Sequence, residues 1–410
     1  MLRLALFSPL VLSVCLFAGP QATGSADTLT GRWHADTDKK ATDRLYLDLR
    51  LDSEEGRHQM GTTIPRAAFT GLPSSLANTG VIKFDLRRDA GTTAFEGEFK
   101  DNWGSGRFTF TPNQDFAAAM RQRGLHDDDA DRMFAFALHD VSRAFIAELE
   151  KLGYKNLEAD QLLAFRIHGV SPEFITAMRK LGYTNLSPDD LVAFRIHGVS
   201  PEFVSAMNNA GYRNLSAEKL VAFRIHGVSP EFVAAMQKAG YNGLDDDQLV
   251  AFRIHGVSPE FVSSLKQAGY TDLSADRLVA FRIHGVSPEA VNEFKKLGYA
   301  DLSGDDLVAG RIHGVSPEFV KSLADLGYSK VAFDDLVAMR IHGVSPEFIK
   351  ELKTLGYSDV PVDTLVAMRI HNVTPDFIRQ VRADGYDDMS PQDLIDFSIH
   401  GRRWMAKHKK

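Results

Sequence analysis

Ten histidines stand 29 residues apart: His139, His168, His197, His226, His255, His284, His313, His342, His371 and His400. Imidazole is a common ligand for transition metals, so a metal-binding ladder is the first chemical reading. Zinc, however, needs several donors converging at roughly 2 Å on one ion. Each period supplies a single histidine, with an arginine two residues before most of them. The spacing favours a structural role, a partly positive ring beside the last carbonyls of a helix. There is no His-Glu-x-x-His motif, and the only cysteine, Cys15, lies in an apolar leader. No metal site and no cofactor is therefore assigned.

The phrase Arg-Ile-His-Gly begins at 166, 195, 224, 253, 282, 311 and 340, with Arg-Ile-His-Asn at 369. Projected on a helix, the arginine falls between apolar positions, and a buried guanidinium must be paired. Glu173, Glu202, Glu231, Glu260, Glu289, Glu318 and Glu347, or residues of the Asp190 type, recur with it. This predicts a repeated internal ion pair, with an exposed anion-binding stripe as the alternative. Tyrosines from Tyr154 to Tyr386 recur after a glycine and are expected to pack at a hairpin turn. Outside the periodic part, His34, Asp36, His58 and Asp101 could supply acid–base groups. Scattered polar residues on strands are more simply a wet face, so no catalytic residue is assigned and the chain is read as not an enzyme. Acidic runs such as Asp127-Asp128-Asp129 and Asp245-Asp246-Asp247 suit helix starts and lack the spacing of a calcium loop.

The elements that hold these residues follow from the period. Ser171 can cap a helix, Pro172 suits its first position, and Phe174, Ile175, Met178 and Leu181 form one apolar stripe. Gly182 permits the left-handed conformation that ends it. Ser187 and Asp190 are spaced as a capping box for a second helix. There Leu191, Val192, Phe194 and Ile196 point around the axis, which predicts a helix buried nearly all round. Helices of about ten residues are unstable alone in water and must pile onto the next copy. The predicted fold is mostly α: an α-solenoid of ten 29-residue helical hairpins over 112–401. A small antiparallel β domain, sandwich or barrel-like, precedes it over 27–111. Leu45, Leu47, Leu49 and Leu51 alternate there with polar residues, as do Ile82, Phe84 and Leu86.

On this frame the outer-helix positions vary between copies, and variable surface on a fixed core marks a candidate recognition surface. Thr176, Arg179, Lys180, Ser205, Asn208 and Asn209 are its candidate residues. One unit departs from the pattern, with Ala290 for phenylalanine and Gly310 for phenylalanine or methionine. Phe294 one turn later could refill the volume; the alternative is a local pocket at Ala290, Phe294 and Gly310.

The repeats resemble Arg-Ile-His-Gly-Val-Thr-Pro-Glu-Phe units in exported bacterial proteins, some similar to the beta-lactam-sensor family of membrane zinc peptidases. Phe95-Glu96-Gly97-Glu98-Phe99 and Gly104-Ser105-Gly106-Arg107-Phe108 are similar to segments that accompany such repeats. The chain has no zinc-peptidase motif and no multi-span region, so the resemblance implies an envelope location and a sensing or interaction role, not proteolysis. Residues 1–26 read as a cleaved signal peptide, with Gly24-Ser25-Ala26 before Asp27, and lipidation at Cys15 as the lesser alternative. The apolar run is too short to span a bilayer comfortably. Residues 402–410 read as a solvated basic tail. A net charge of −7 with both signs interspersed argues against nucleic acid as a partner. The expected function is a non-catalytic periplasmic or secreted scaffold for a protein or envelope ligand. A histidine-ladder metal binder, or an enzyme with its site in the β domain, stands as the alternative.

Overall fold

A computed structural model describes residues 28–36, 43–51, 59–101, 103–126 and 129–401. Residues 1–27 with Cys15, His58, the Asp127-Asp128 pair and residues 402–410 lie outside the described residues. The chain divides into two compact units, Met1–Val221 and Ala222–Lys410.

The first unit opens with seven strands: β1 (Leu29–Asp36), β2 (Arg44–Leu51), β3 (Gln59–Pro65), β4 (Phe69–Thr70), β5 (Ile82–Arg88), β6 (Gly91–Lys100) and β7 (Trp103–Pro112). They form one antiparallel sheet in the order β3-β2-β1-β7-β6-β5-β4. The alternation read from Leu45 to Leu51 is what decides its buried face: all four leucines are buried. Trp33 lies fully buried at the centre, and its indole N–H is shared between the carbonyls of Glu96 (3.3 Å) and Arg107 (3.2 Å). Glycine makes room for that ring, because a Cβ on Gly97 would come within 2.6 Å of it.

Of the two expected forms, sandwich or barrel-like, the sheet takes the second: it is a half-barrel whose edges, β3 and β4, pair with one neighbour each. Its apolar face is covered by a helix instead of a second sheet. After α1 (Gln114–Arg121), α2 (Ala130–Leu138) lays Phe134 flat on Phe108, ring centroids 5.3 Å apart, and against Phe110 at 5.1 Å. Asp89, at the turn after β5, accepts the backbone N–H of Arg143 (2.8 Å) and its Nε (3.0 Å). Asp140 pairs with Arg88 (3.3 Å) and Arg166 (2.6 Å). The seam between sheet and helices is thus apolar inside and ionic at its rim.

From α3 (Arg143–Lys151) onward the helices alternate between an outer and an inner layer: α4 (Ala159–His168) is inner, α5 (Pro172–Lys180) outer, α6 (Pro188–His197) inner. Local chemistry sets each boundary. The Ser171 hydroxyl accepts the N–H of Phe174 (3.2 Å), Pro172 occupies the first turn, and Gly182 adopts φ +98°. Ser187 and Asp190 form a reciprocal capping box before α6. Inner helices pack on inner helices and outer on outer, α4 on α6 and α3 on α5. In the second unit Asp246–His255 packs on Ala275–His284, and so on to Pro391–His400. Burying Leu249 and Phe252 fully contributes roughly 1.5–3 kcal/mol per side chain, enough to hold helices that could not form alone.

The tyrosines clamp successive units. Tyr183 Oη donates to the carbonyl of Leu215 (2.8 Å) in the first unit, and Tyr241 Oη to that of Leu273 (2.7 Å) in the second. Burial pushes these phenol pKa values up, which keeps them as donors.

The aberrant copy is filled, not hollow. Phe333, standing where the preceding copies have glycine, alanine, aspartate or proline, reaches the vacated volume. Its ring meets Phe294 edge-on at 5.7 Å, and a Cβ on Gly310 would lie 2.7 Å from its tip. The space beside Gly310 and Phe294, part of the pocket weighed as the alternative, is thus taken by a side chain from the next repeat.

Candidate functional site

The inner helices were expected to be apolar and buried all round, and in one respect they are not. Phe194 faces the core, fully buried. Ile196 lies two residues on, roughly 200° around the axis at about 100° per residue, and faces solvent. An inner helix is packed by its two inner neighbours and by the outer layer, which leaves one face free. The isoleucine of every Arg-Ile-His copy occupies that face. Ile167 and Ile196 in the first unit, and Ile225, Ile254, Ile283, Ile312, Ile341, Ile370 and Ile399 in the second, are 44% to 55% exposed. Among described residues, the only other large apolar side chains so exposed are Tyr46, Val81 and Trp103, on or beside the sheet.

The arginine before each isoleucine is also accounted for differently from the sequence expectation. It is not an internal ion pair. Arg195, Arg253, Arg282 and Arg369 each donate Nε to the carbonyl of the preceding unit's histidine, His168, His226, His255 and His342, at 3.2 to 3.4 Å. The same guanidinium lies over the phenylalanine that follows that histidine, with Arg253 4.9 Å above Phe232 and Arg195 5.1 Å above Phe174. A cation at a helix C-terminus is favoured by the dipole, and a cation over a ring by the quadrupole. Arg311 keeps the carbonyl bond, to His284 (3.4 Å), but its ring partner is replaced by Ala290. Arg195, Arg253, Arg282, Arg311, Arg340 and Arg369 have no carboxylate partner among the described residues. Arg166, next to the sheet, does have one in Asp140. Ser398 stands in the arginine's place in the last copy and donates to the His371 carbonyl.

The glutamates expected to pair with these arginines are engaged by their own helix starts. Hydrogen bonds from the Ser171 hydroxyl and its own backbone N–H hold Glu173 below the usual carboxylate pKa, and Glu202, Glu231 and Glu260 are held likewise. Glu318 has the same N-cap partners and feels Arg311 only weakly.

The carbonyls of His139, His168, His226, His255, His284, His342 and His371 each accept a hydrogen bond from the next repeat. Burial holds His168 below the ordinary imidazole pKa; burial, with Arg166 beside it, does the same for His139. No group of three His, Cys, Asp or Glu side chains able to hold a metal ion exists among the described residues.

The sequence-derived surface residues lie on outer helices and have mixed fates. Arg179 is committed to the fold: its guanidinium caps the carbonyl of Leu152 and lies 5.9 Å from the Tyr154 ring. The hydroxyl of Thr176 turns back to the carbonyl of Pro172 (2.8 Å). Lys180 and Asn209 are exposed, Ser205 and Asn208 half-buried. In the β domain, His34 and Asp36 share one face of β1, while Asp101 sits in the exposed turn after β6 at φ +50°. No hydrogen bond joins these three residues.

No family model matches the chain, and no curated protein matches it in sequence. No helix among the described residues is long and apolar enough to cross a membrane.

Proposed function

We propose that this chain is a non-catalytic, extracytoplasmic binding scaffold of the cell envelope, which holds a protein or other envelope ligand on the isoleucine ladder of its inner helices. One observation carries the reading: an apolar side chain, isoleucine, recurs from Ile167 to Ile399 although each copy is 44% to 55% exposed. Outer positions equivalent to Thr176 have diverged to Ser205, Ala234, Ser263, Asn292 and Lys321, whereas isoleucine stands at every inner rung from Ile167 to Ile399. Neither core packing nor helix capping requires an apolar residue there, and water disfavours a row of them. Within each unit, a row of exposed apolar side chains with fixed cations beside it is what a recognition surface needs. The exported setting is supported by the leader sequence and by the resemblance of the repeats to those of exported proteins.

Site-specific photocross-linking in the source cell tests the reading. A photoreactive residue at 283 should give discrete adducts, and the same residue at 292 on the outer layer should not. Adducts from the outer position alone, or from neither, would overturn it.

A further inference from the structure

The ladder has a period, a polarity and a charge, and together they restrict what can lie on it. In the second unit six isoleucines, from Ile254 to Ile399, follow one another on successively packed inner helices. Packed helices stand roughly 8–10 Å apart, so the rungs recur at about that distance. Among regular peptide conformations, an extended polyproline-type strand repeats its face every three residues at 3.1 Å each, about 9.3 Å. A guest α-helix repeats its face every heptad, about 10.5 Å, and would drift out of register over five steps. A β-strand cannot use every third residue on one face, because its side chains alternate.

Charge sets the second condition. Arg253, Arg282, Arg311 and Arg369 each carry a guanidinium pinned at Nε, without a carboxylate partner among the described residues, so their outer N–H donors remain for a ligand. The neighbouring glutamates are held by their own N-caps. Because the guanidinium is fixed in advance, little side-chain entropy is lost when it is used. A strand in the polyproline conformation, with one apolar residue per turn and a carboxylate beside it, satisfies both conditions. A lipid surface suits the ladder less well: interfacial helices insert aromatic side chains, and this face carries none among its exposed large apolar residues.

We infer that the ladder binds an extended, acidic peptide segment with an apolar side chain at every third residue, one triplet per repeat. The inference rests on the ladder being the recognition surface. The full-length protein is titrated with synthetic (Leu-Glu-Pro)n peptides of three, four, five and six triplets. Controls are a period-scrambled peptide of the same composition, a (Leu-Lys-Pro)n series, and phosphatidylglycerol vesicles. Affinity should rise with each added triplet, as multivalency requires. It should be weaker by about tenfold or more for the scrambled and lysine peptides, and for Ile283→Glu/Ile312→Glu protein with an unchanged circular dichroism spectrum. Equal binding of the scrambled peptide, no gain with length, or capture by vesicles without peptide binding would overturn it. If cross-links from position 283 persist while these peptides fail to bind, only the peptide assignment falls; if the cross-links are also absent, the ladder reading falls with it.

Discussion

The inner and outer layers of the repeats are fastened by the same device and differ in what they leave exposed. In the inner layer Arg253 caps the His226 carbonyl and lies over Phe232. In the outer layer Lys266 caps the Ala239 carbonyl (2.7 Å) and lies 5.7 Å from the Tyr241 ring. Outer copies tolerate lysine, arginine, Asn208, Gln237 or Ala324 at that position, and the positions equivalent to Thr176 vary, although the glutamate at the helix start recurs from Glu173 to Glu347. Inner copies hold arginine from 166 to 369 and isoleucine from 167 to 399. Two layers with one folding problem have thus kept different amounts of sequence. The excess in the inner layer lies at an exposed position, where folding does not ask for it.

The largest effect should come from the buried side of the same inner helix. Phe281 is fully buried and two residues before the exposed Ile283. Phe281→Ala should destabilise the second unit by about 3–5 kcal/mol, read by urea denaturation. A loss under about 1 kcal/mol would mean that the inner layer is not the core.

The aberrant copy gives the next effect. Phe333→Ala should cost about 3 kcal/mol through the space it opens, and Gly310→Phe alone about 1–3 kcal/mol through overpacking against Phe333. Together the two changes restore the arrangement of other copies. The double variant should therefore be more stable than the sum of the singles predicts, by about 1–3 kcal/mol. Strict additivity would show that the two residues do not share one volume.

This pair also shows what could be read in advance. Gly310, Ala290 and Phe294 stood out in the sequence as departures from a strict period. Phe333 did not, because its partner lies in the preceding copy and at a position that already varies. The helices, their serine caps and terminal glycines were legible because they depend on neighbours along the chain. The half-barrel was legible only as strands, since the alternation of Leu45 to Leu51 names a buried face without naming its cover. The arginine misled for a related reason. Its flanks are apolar, yet its partner is a main-chain carbonyl 27 residues earlier, which no side-chain pattern announces. The exposed isoleucine was hidden by Leu191 and Val192, whose spread around the axis resembles complete burial.

A smaller effect follows from the cap itself. Arg253→Ala should cost about 1 kcal/mol, the sum of a modest dipole cap and an exposed cation–π contact. Arg253→Ser should lose less, because Ser398 satisfies the same carbonyl in the last copy. If serine were no better than alanine by thermal melting, the carbonyl bond would contribute nothing.

The outer helix starts predict a pH dependence. Hydrogen bonds to the carboxylate hold Glu173, Glu202 and Glu231 below their ordinary pKa of 4.5. A depressed carboxylate stabilises the fold fully above its unfolded pKa and loses that contribution as pH falls through the folded value. The melting temperature should therefore drop as pH is lowered from about 4.5. Replacing the three glutamates by glutamine should flatten that slope by lowering the neutral-pH melting temperature slightly, while leaving the melting temperature at acid pH nearly unchanged.

The smallest expected change in stability is the most informative about the inner layer. Ile283 is about half exposed. Ile283→Ser should alter stability by no more than about 0.5 kcal/mol, as surface substitutions do. Its neighbour Phe281 should differ from it by several kcal/mol on the same helix. That contrast separates two reasons for an apolar residue to recur in a repeat: packing, which stability measures, and recognition, which it does not. If Ile283→Ser cost as much as Phe281→Ala, the isoleucines would be core residues and their uniformity would need no ligand. If it cost nothing and still removed the cross-links from that face, folding would be eliminated as the reason the ladder is kept.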